Sequence, residues 1–308
     1  MPSGIQTNRT AVSLPTEIAQ EVLQTARGQS AIMQLARRVT LPGRGLSIPT
    51  ITSDPEAEWV AETDAKPVKL PGVGMKIMQG YTLAVILPFS NQFRRDLAGL
   101  YDNLVARLPG ALAMKFDKTV MGAVQAPGQN FQTFANATAQ SIVPSQSATT
   151  YDGLVAADTD ISEHGGLLSG FALSPAARGI LLGAVDKQDR PLFINSVAEG
   201  TIPRILGVPT YYGRGLYKAG TAATQSAAGT PAIVGVAGDW TQAMYGMVTE
   251  VDITFSDQAT LTYTDENSQT VTINLWQRNM FAVRAEVEVG FAANVSCFNL
   301  LTGAIPSA

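Results

Sequence analysis

The sequence predicts a mixed α+β fold in two lobes, and three patterns carry that expectation. Over residues 100–121, Tyr101, Leu104, Val105, Leu108, Leu112, Phe116 and Val120 recur at three- and four-residue steps, the spacing of one helix face. Over residues 281–291, Phe281, Val283, Ala285, Val287, Val289 and Phe291 alternate with Arg284, Glu286 and Glu288, the period of two of a half-buried strand. Over residues 151–185, helix-like and strand-like segments alternate as they do in an α/β lobe. At 308 residues the chain has room for one large domain or two ordinary ones.

From the amino end, residues 1–13 are polar and lack periodicity, which predicts an extended arm. Ile18, Ala19, Val22, Leu23 and Ala26 share one face of a helix over 15–27, stopped by Gly28, and a short second helix is expected over 31–37. Extended pieces follow at 46–51 and 58–61. The stretch 63–80 carries Pro67, Pro71, Gly72, Gly74 and Gly80, which predicts a protruding hairpin. Its return strand is placed at 80–88, apolar enough to be covered on both faces. A hairpin of that length is expected to work between subunits. The helix over 100–121 would then span about 30 Å at 1.5 Å per residue. Pro109 inside it predicts a kink or a break.

Residues 122–146 are rich in Gly, Ala, Gln, Asn and Ser and are expected to be loop. A helix over 151–161 ends at His164-Gly165-Gly166, and a strand over 171–173 runs into Ser174-Pro175, a cap and first-turn pair opening a helix over 176–185. Residues 186–204 form an irregular loop around Arg190-Pro191-Leu192-Phe193. Strands are expected at 207–211, 232–235 and 247–255, a surface loop at 218–231, and a last apolar piece at 295–301.

Composition narrows the function classes. Hydrophobic residues make up 45% of the chain and charged ones 15%, a surface poor enough in charge to be hidden in partners. A net charge of -4 argues against a dedicated nucleic-acid binder, though not against enclosing DNA without gripping it. The charge is polarised. Residues 1–45 hold five arginines against two glutamates, and residues 239–308 hold two arginines against eight acids, which suits head-to-tail contact between copies. Cys297, the single cysteine, reads as a buried small hydrophobe. The first 15 residues lack the apolar core of a secretion signal, and the longest apolar stretch, 81–89, is too short to span a bilayer; a soluble chain made in a cytoplasm is expected.

The chemistry of catalysis is sparse. His164, the one histidine, sits at a helix end where capping is its plainest role, so a two-histidine metal site cannot be built. Gly72-Val73-Gly74 and Gly213-Arg214-Gly215 do not continue as phosphate-binding fingerprints. Asp158 with Asp160, and Asp265 with Glu266, lack the spacing of a calcium loop. No catalytic, cofactor-binding or metal-ligating residue is assigned, and no cofactor is expected.

Several stretches, in order, resemble a known family. Leu14-Pro15-Thr16-Glu17-Ile18 with Val22-Leu23 resembles its opening helix, and Trp59-Val60-Ala61-Glu62 the entry to its extended hairpin. Phe116-Asp117-Lys118 with Met121-Gly122 resembles the end of its spine helix. Arg190-Pro191-Leu192-Phe193 and Leu206-Gly207-Val208-Pro209 resemble a recurring pair in its axial lobe, and Gly238-Asp239-Trp240 and residues 281–290 its closing strands. The family is that of the major capsid proteins of tailed bacteriophages, with the HK97-like fold.

The resemblance implies an N-terminal arm and first helix over 1–35, a peripheral lobe with the spine helix and long strands over 36–55 and 89–145, an extended E-loop hairpin over 56–88, an α/β axial lobe over 146–246, and strands returning through both lobes over 247–308. It implies a virion protein that assembles as pentamers and hexamers into an icosahedral shell around double-stranded DNA in the bacterial cytoplasm. Partners would be copies of itself, a separate scaffolding protein, a portal at one vertex and a decoration protein, with no membrane. Inter-subunit contacts are placed on the E-loop at Trp59, Glu62, Lys66, Lys69, Met75 and Lys76, on the arm and first helices at Arg9, Leu14, Arg37 and Arg38, and on the axial lobe at Arg190, Pro191, Phe193 and Tyr211. Some relatives crosslink an E-loop lysine to a neighbour's asparagine; Asn274 and Asn279 are the nearest counterparts here. Competing readings are an encapsulin-type cargo compartment, marked by bound cargo without a portal; an α/β hydrolase, marked by turnover; and a surface-layer or tail-tube subunit, marked by planar or helical assembly.

Overall fold

The computed structural model describes residues 30–43, 45–53, 59, 72–92, 107–144, 149–185, 190–193, 204–223, 228–264 and 268–306. The expected arm and first helix, the hairpin tip and the first part of the spine helix fall outside these residues.

Two sheets organise the chain. The first has four strands in the order β1 (Arg37–Thr40), β10 (Ala243–Ser256), β13 (Met280–Ala293), β4 (Tyr81–Ser90). Strict alternation in β13 sends Phe281, Val283, Ala285, Val287 and Val289 to one face, opposite Phe89, Leu87, Val85, Leu83 and Tyr81 of β4. The near-continuous apolar run of β4 is covered on one face only. β4 lies at the sheet edge, and Thr82, Ala84, Ile86 and Pro88 are exposed. An edge position also explains how Pro88, which has no N–H to donate, sits inside a strand.

The short helix ends earlier than its sequence suggests. α1 is Ala31–Leu35, capped by Ser30, and Arg37 and Arg38 belong to β1, pairing in parallel with Met244 and Tyr245. Ladder bonds offered by β10 outweigh the weak helical preference of a five-residue segment. The hairpin is also registered differently. β2 (Leu46–Ser53) pairs with β3 (Gly72–Met78), from Leu46 opposite Met78 to Ser53 opposite Gly72, so residues 80–88 are not its return strand. Gly246 and Gly290 stand directly opposite each other in β10 and β13 and form the seat for the base of this ribbon. A Cβ on Gly246 would lie 2.3 Å from Leu41 Cγ, and one on Gly290 2.5 Å from the Gln79 carbonyl oxygen.

The spine helix is described as α2 (Leu108–Val120). Pro109 occupies its first turn, where the missing N–H leaves no helical bond unmade. Leu108, Leu112, Phe116 and Val120 are buried, as their four-residue spacing requires.

The second sheet has six strands in the order β5 (Thr138–Ser141), β14 (Phe298–Thr302), β9 (Ile233–Gly238), β6 (Gly170–Leu173), β8 (Val208–Tyr212), β7 (Arg204–Ile205). β5 lies within the expected 122–146 loop. Its polar sequence gives no apolar period, and it becomes a strand because β14 offers a parallel edge. Helices α3 (Thr150–Glu163) and α4 (Pro175–Leu182) cover one face, where Leu154, Ala157, Ile161, Ala177 and Leu181 pack with Phe171, Leu173, Val234 and Leu301. α3 opens with a capping box in which Thr149 and Asp152 satisfy each other's backbone N–H groups, and these bonds hold the Asp152 carboxyl below its ordinary pKa. Ser174 caps α4 as expected, though the helix stops at Leu182 rather than 185.

The other face of the six-stranded sheet joins the first sheet through an aromatic cluster. Phe134 stacks near Phe298 of β14 with ring centres 4.6 Å apart and meets Phe291 of β13 edge-on at 5.4 Å. Phe116 of α2 reaches Tyr245 and Phe291, and Trp240 sits edge-on to Phe298 at 5.3 Å while its Nε1 donates to the Gly170 carbonyl at 2.9 Å.

Beside this cluster, the root of α1 is tied to α2. Asp117, only 1% exposed, accepts from Ser30 Oγ at 2.6 Å and from the backbone N–H groups of Ala31 and Ile32.

Phe134 is fully buried and touches both sheets through its ring partners. Phe134→Ala is therefore expected to destabilise the unassembled chain by about 3–5 kcal/mol in urea denaturation. A loss under about 1 kcal/mol would mean that the cluster does not join the sheets energetically.

Candidate inter-subunit surface

Among the described residues, the face of the four-stranded sheet that points away from the aromatic cluster is covered only at its two ends. At one end the base of the β2–β3 ribbon packs down, with Leu41 and Met78 against Ala292 and with Leu46, Met244 and Val248 around them. At the other end lies a hairpin outside the expected strands, β11 (Thr260–Thr264) and β12 (Thr270–Asn274), whose Ile273 and the following Leu275 pack on Ala282. Thr-Leu-Thr-Tyr-Thr and Thr-Val-Thr-Ile-Asn do alternate with period two, so the signal for it was present.

Between these two covers lies an open trough. Its floor pairs Arg284 with Ile86, Glu286 with Ala84 and Glu288 with Thr82, and β10 adds Thr254 beside Arg284 and Asp252 beside Glu286. Arg284 Nε lies 3.3 Å from Glu286 Oε2. Asp252 directly opposite Glu286 is a like-charge pair, which is unfavourable in an isolated sheet. Exposed large apolar groups mark the surroundings of the trough: Ile86 on its floor, Met75 (75% exposed) and Ile77 on the ribbon, and Trp276 (71%) with Tyr263 at the far hairpin. Trp59 is fully exposed. Indole and thioether groups left in water at this density are those that association buries.

The expected contact residues are distributed unevenly. Met75 and Lys76 lie on β3, with Met75 exposed, while Lys76 turns inward and its Nζ donates to the Ala293 carbonyl at 3.4 Å. Lys76 is thus already engaged within its own chain. Glu62, Lys66, Lys69, Arg9 and Leu14 lie outside the described residues. Arg37 and Arg38 are both exposed on β1, the strand at the edge opposite β4. Arg190 and Pro191 are exposed beside a bridge from Pro191 to Val185, whereas Phe193 packs partly buried on the α3–α4 core and Tyr211 on the aromatic core. Asn274 and Asn279 both bond internally: Asn274 Oδ1 accepts from the Gln277 N–H, and Asn279 Oδ1 accepts from Asn91 Nδ2 at 2.8 Å.

The groups weighed for chemistry are in structural roles. His164 caps the C-terminus of α3, its Nδ1 2.8 Å from the Asp160 carbonyl. Cys297 is buried; loss of water raises its pKa, Asp239 adds to the rise and Lys76 opposes it, which keeps the thiol protonated and unreactive. Trp276 and Ile86 are not among the residues expected at contacts, and Asp117 is expected only as part of the motif that ends the spine helix. Exposure of the first two depends on which strands become neighbours, but Asp117 lies on the buried face of its helix, one turn from Ala113, and a helical projection would have flagged a carboxylate there.

Comparison with known proteins gives consistent results. The model of a family described as "Phage capsid family" matches residues 10–294. The chain is 28% identical over 303 residues to a protein of Mycobacterium phage D29 named "Probable major capsid protein gp17", covering 95% of this chain and 90% of that one. A solved chain from Gordonia phage Cozz superposes with a TM-score of 0.69 at 21% identity, covering 99% of this chain and 92% of its own. One from Mycobacterium phage Ogopogo gives 0.71 at 17%, covering 90% and 92%.

Since Trp276 is exposed and Phe134 is not, Trp276→Ala is expected to change the stability of the unassembled chain by no more than about 0.5 kcal/mol. A loss in urea denaturation comparable to that of Phe134→Ala would place the indole in the fold rather than on a contact surface.

Proposed function

The chain belongs to the phage capsid family, and from that membership we propose that it is a major capsid protein that closes into an icosahedral shell of pentamers and hexamers around double-stranded DNA. The observation that carries this reading is the family match across 285 of 308 residues, 10 through 294, joined to a fold shared over nearly the whole chain. The family is a structural one, and the mixed helix-and-strand architecture is that of the HK97-like fold.

In this reading the four-stranded sheet with α2 is the peripheral lobe and the six-stranded sheet with α3 and α4 is the axial lobe. Residue 246 lies within β10, so the division between 146–246 and 247–308 passes along a continuous strand. The β2–β3 ribbon is the base of the E-loop, which lies across a neighbouring copy and brings Trp59, Glu62, Lys66, Lys69 and Met75 to it. Arg9 and Leu14 reach a neighbour through the arm. Arg37 and Arg38 meet acidic groups of the next copy, and a trough carrying Asp252, Glu286 and Glu288 supplies a surface of that sign. Around the symmetry axes Arg190 and Pro191 make contact, with Phe193 and Tyr211 supporting them from the core. A scaffolding protein, a portal and a decoration protein complete the particle, which is assembled in the host cytoplasm. Weak contacts repeated by symmetry suffice, since each subunit is held by several neighbours at once.

Electron microscopy of the purified chain, alone and with a scaffolding protein from the same genome, tests the assignment. Closed shells, or pentamers and hexamers that close on adding the scaffold, are expected; a persistent monomer under both conditions would overturn it. The E-loop role has a separate test. Ser53 and Gly72 are paired, so a two-residue Asn-Gly turn can replace residues 54–71 without disturbing the ribbon. That variant is expected to fold with an unchanged denaturation midpoint and to fail to close shells, and normal particles from it would remove the E-loop from the assembly mechanism. Arg37→Glu with Arg38→Glu is expected to cut particle yield at least tenfold while leaving the midpoint of the unassembled chain in place, and equal loss of both would count against an interface role.

A further inference from the structure

Asp117 is a carboxylate set in the wall between α1, α2 and the 3-10 turn at Arg214–Leu216, with 1% of its surface exposed. Its Oδ2 has no hydrogen-bond partner, while Ser30 Oγ donates to Oδ1 at 2.6 Å and the N–H groups of Ala31 and Ile32 also reach the carboxyl group. The backbone of the turn packs closely against it. A Cβ on Gly213 would lie 3.3 Å from Oδ2 and 3.4 Å from Ala31 Cβ, and one on Gly215 would lie 2.6 Å from Asp117 Cβ. The ionisable groups on the surrounding elements are Lys115 and Lys118 of α2, Arg214 of the turn, and Tyr211 and Tyr212 of β8; α1 and β6 carry none. None of these is among the groups that set its titration, which is governed by burial and the three donors.

The two oxygens therefore divide the work. Oδ1 can accept from α1 whether or not the group is ionised, and Oδ2 is free to hold a proton. We propose that Asp117 is a proton-controlled latch: α1, where residues 1–29 join the described fold, stays docked on α2 while Oδ2 is protonated and is released as that proton is lost. The proposal does not depend on the shell reading, because it concerns a contact within one chain.

The direction follows from linkage. Burial raises the Asp117 pKa from 3.8 to about 7 in the docked state, the three hydrogen bonds opposing the rise, whereas a carboxyl freed into water returns to its ordinary value. Between those values the docked form holds a proton that the released form has lost. Docking is thus strongest below about pH 4, weakens as pH rises, and levels off above about pH 7. The equilibrium constant for release can rise by as much as about tenfold per pH unit within that window.

Hydrogen exchange on the full-length unassembled chain between pH 5 and 8 tests it, with each rate corrected for the intrinsic pH dependence of exchange. The amides of Met33, Gln34 and Ala36 report release, because they donate to Ser30 Oγ, the Ser30 carbonyl and the Ile32 carbonyl. Their protection is expected to fall by about tenfold or more from pH 5 to 7 and then flatten, while the amides of Ala237 and Leu300 in β9 and β14 hold theirs. Asp117→Asn, which keeps an acceptor and removes the titration, is expected to give flat protection at all three α1 amides. Parallel profiles for wild type and Asp117→Asn would overturn the proposal. Should the Asn variant not fold, the Asp117 side-chain carboxyl is followed by carbon NMR in the wild type: a midpoint near 7 that moves higher in Ser30→Ala supports the latch, and an ordinary carboxylate midpoint with α1 docked eliminates it.

Discussion

The aromatic cluster around Phe134 is the contact on which the rest of the structure depends. It receives Phe291 and Tyr245 from one sheet, Phe298 from the other and Phe116 from α2, so the two sheets, which share no strand order, are joined by rings rather than by ladder bonds. Rings met edge-on resist sliding and bury large apolar areas in a small volume. A chain with 15% charged residues has few alternative means of fixing two layers. Strands β10 and β13 contribute to the same end: each is 14 residues long, with one end at the cluster and the other at the β11–β12 hairpin.

With the layers fixed, the surfaces left over are those of a subunit and not of a free-standing protein. The trough on the four-stranded sheet places Asp252 against Glu286 and leaves Ile86 in water, choices that cost stability in isolation. Exposed Trp276 and Met75 stand to either side on hairpins that carry little core of their own. Two-stranded ribbons are marginal by themselves, and each of these is held at its base by a few apolar contacts, which leaves the outer part to be stabilised by what it meets. A family whose members build shells has a use for such surfaces, because the energy withheld from the monomer is recovered in association.

Asp117 shows the same economy inside the fold. A leucine at that position would pack without any cost of dehydrating a charge, but it would leave the first N–H groups of α1 without acceptors. The carboxyl satisfies them and in return makes the docking of α1 sensitive to protons.

Much of the architecture was legible in the sequence because it rests on local periodicity. The period of two in residues 281–291, the four-residue spacing through Leu108, Leu112, Phe116 and Val120, and the Ser174-Pro175 cap each appear as expected, since a helix or strand half-buried against a core writes its own period into the chain. The order of motifs from the opening helix to the closing strands was enough to indicate the family. Partnership between distant segments was not legible. That β5 is a strand, that Arg37 and Arg38 leave a helix for an edge, that residues 72–78 rather than 80–88 return the hairpin, and that β4 is covered on one face only, all depend on which backbone lies alongside. The candidate surface falls mostly on that side of the divide. Exposure at Trp276 and Ile86 and proximity between Asp252 and Glu286 are properties of neighbours brought together from far apart in the chain. The sequence by itself determined which segments could be helices and strands, because that depends on spacing along the chain; only the tertiary structure decided which faces remained open, because a face is defined by what packs against it.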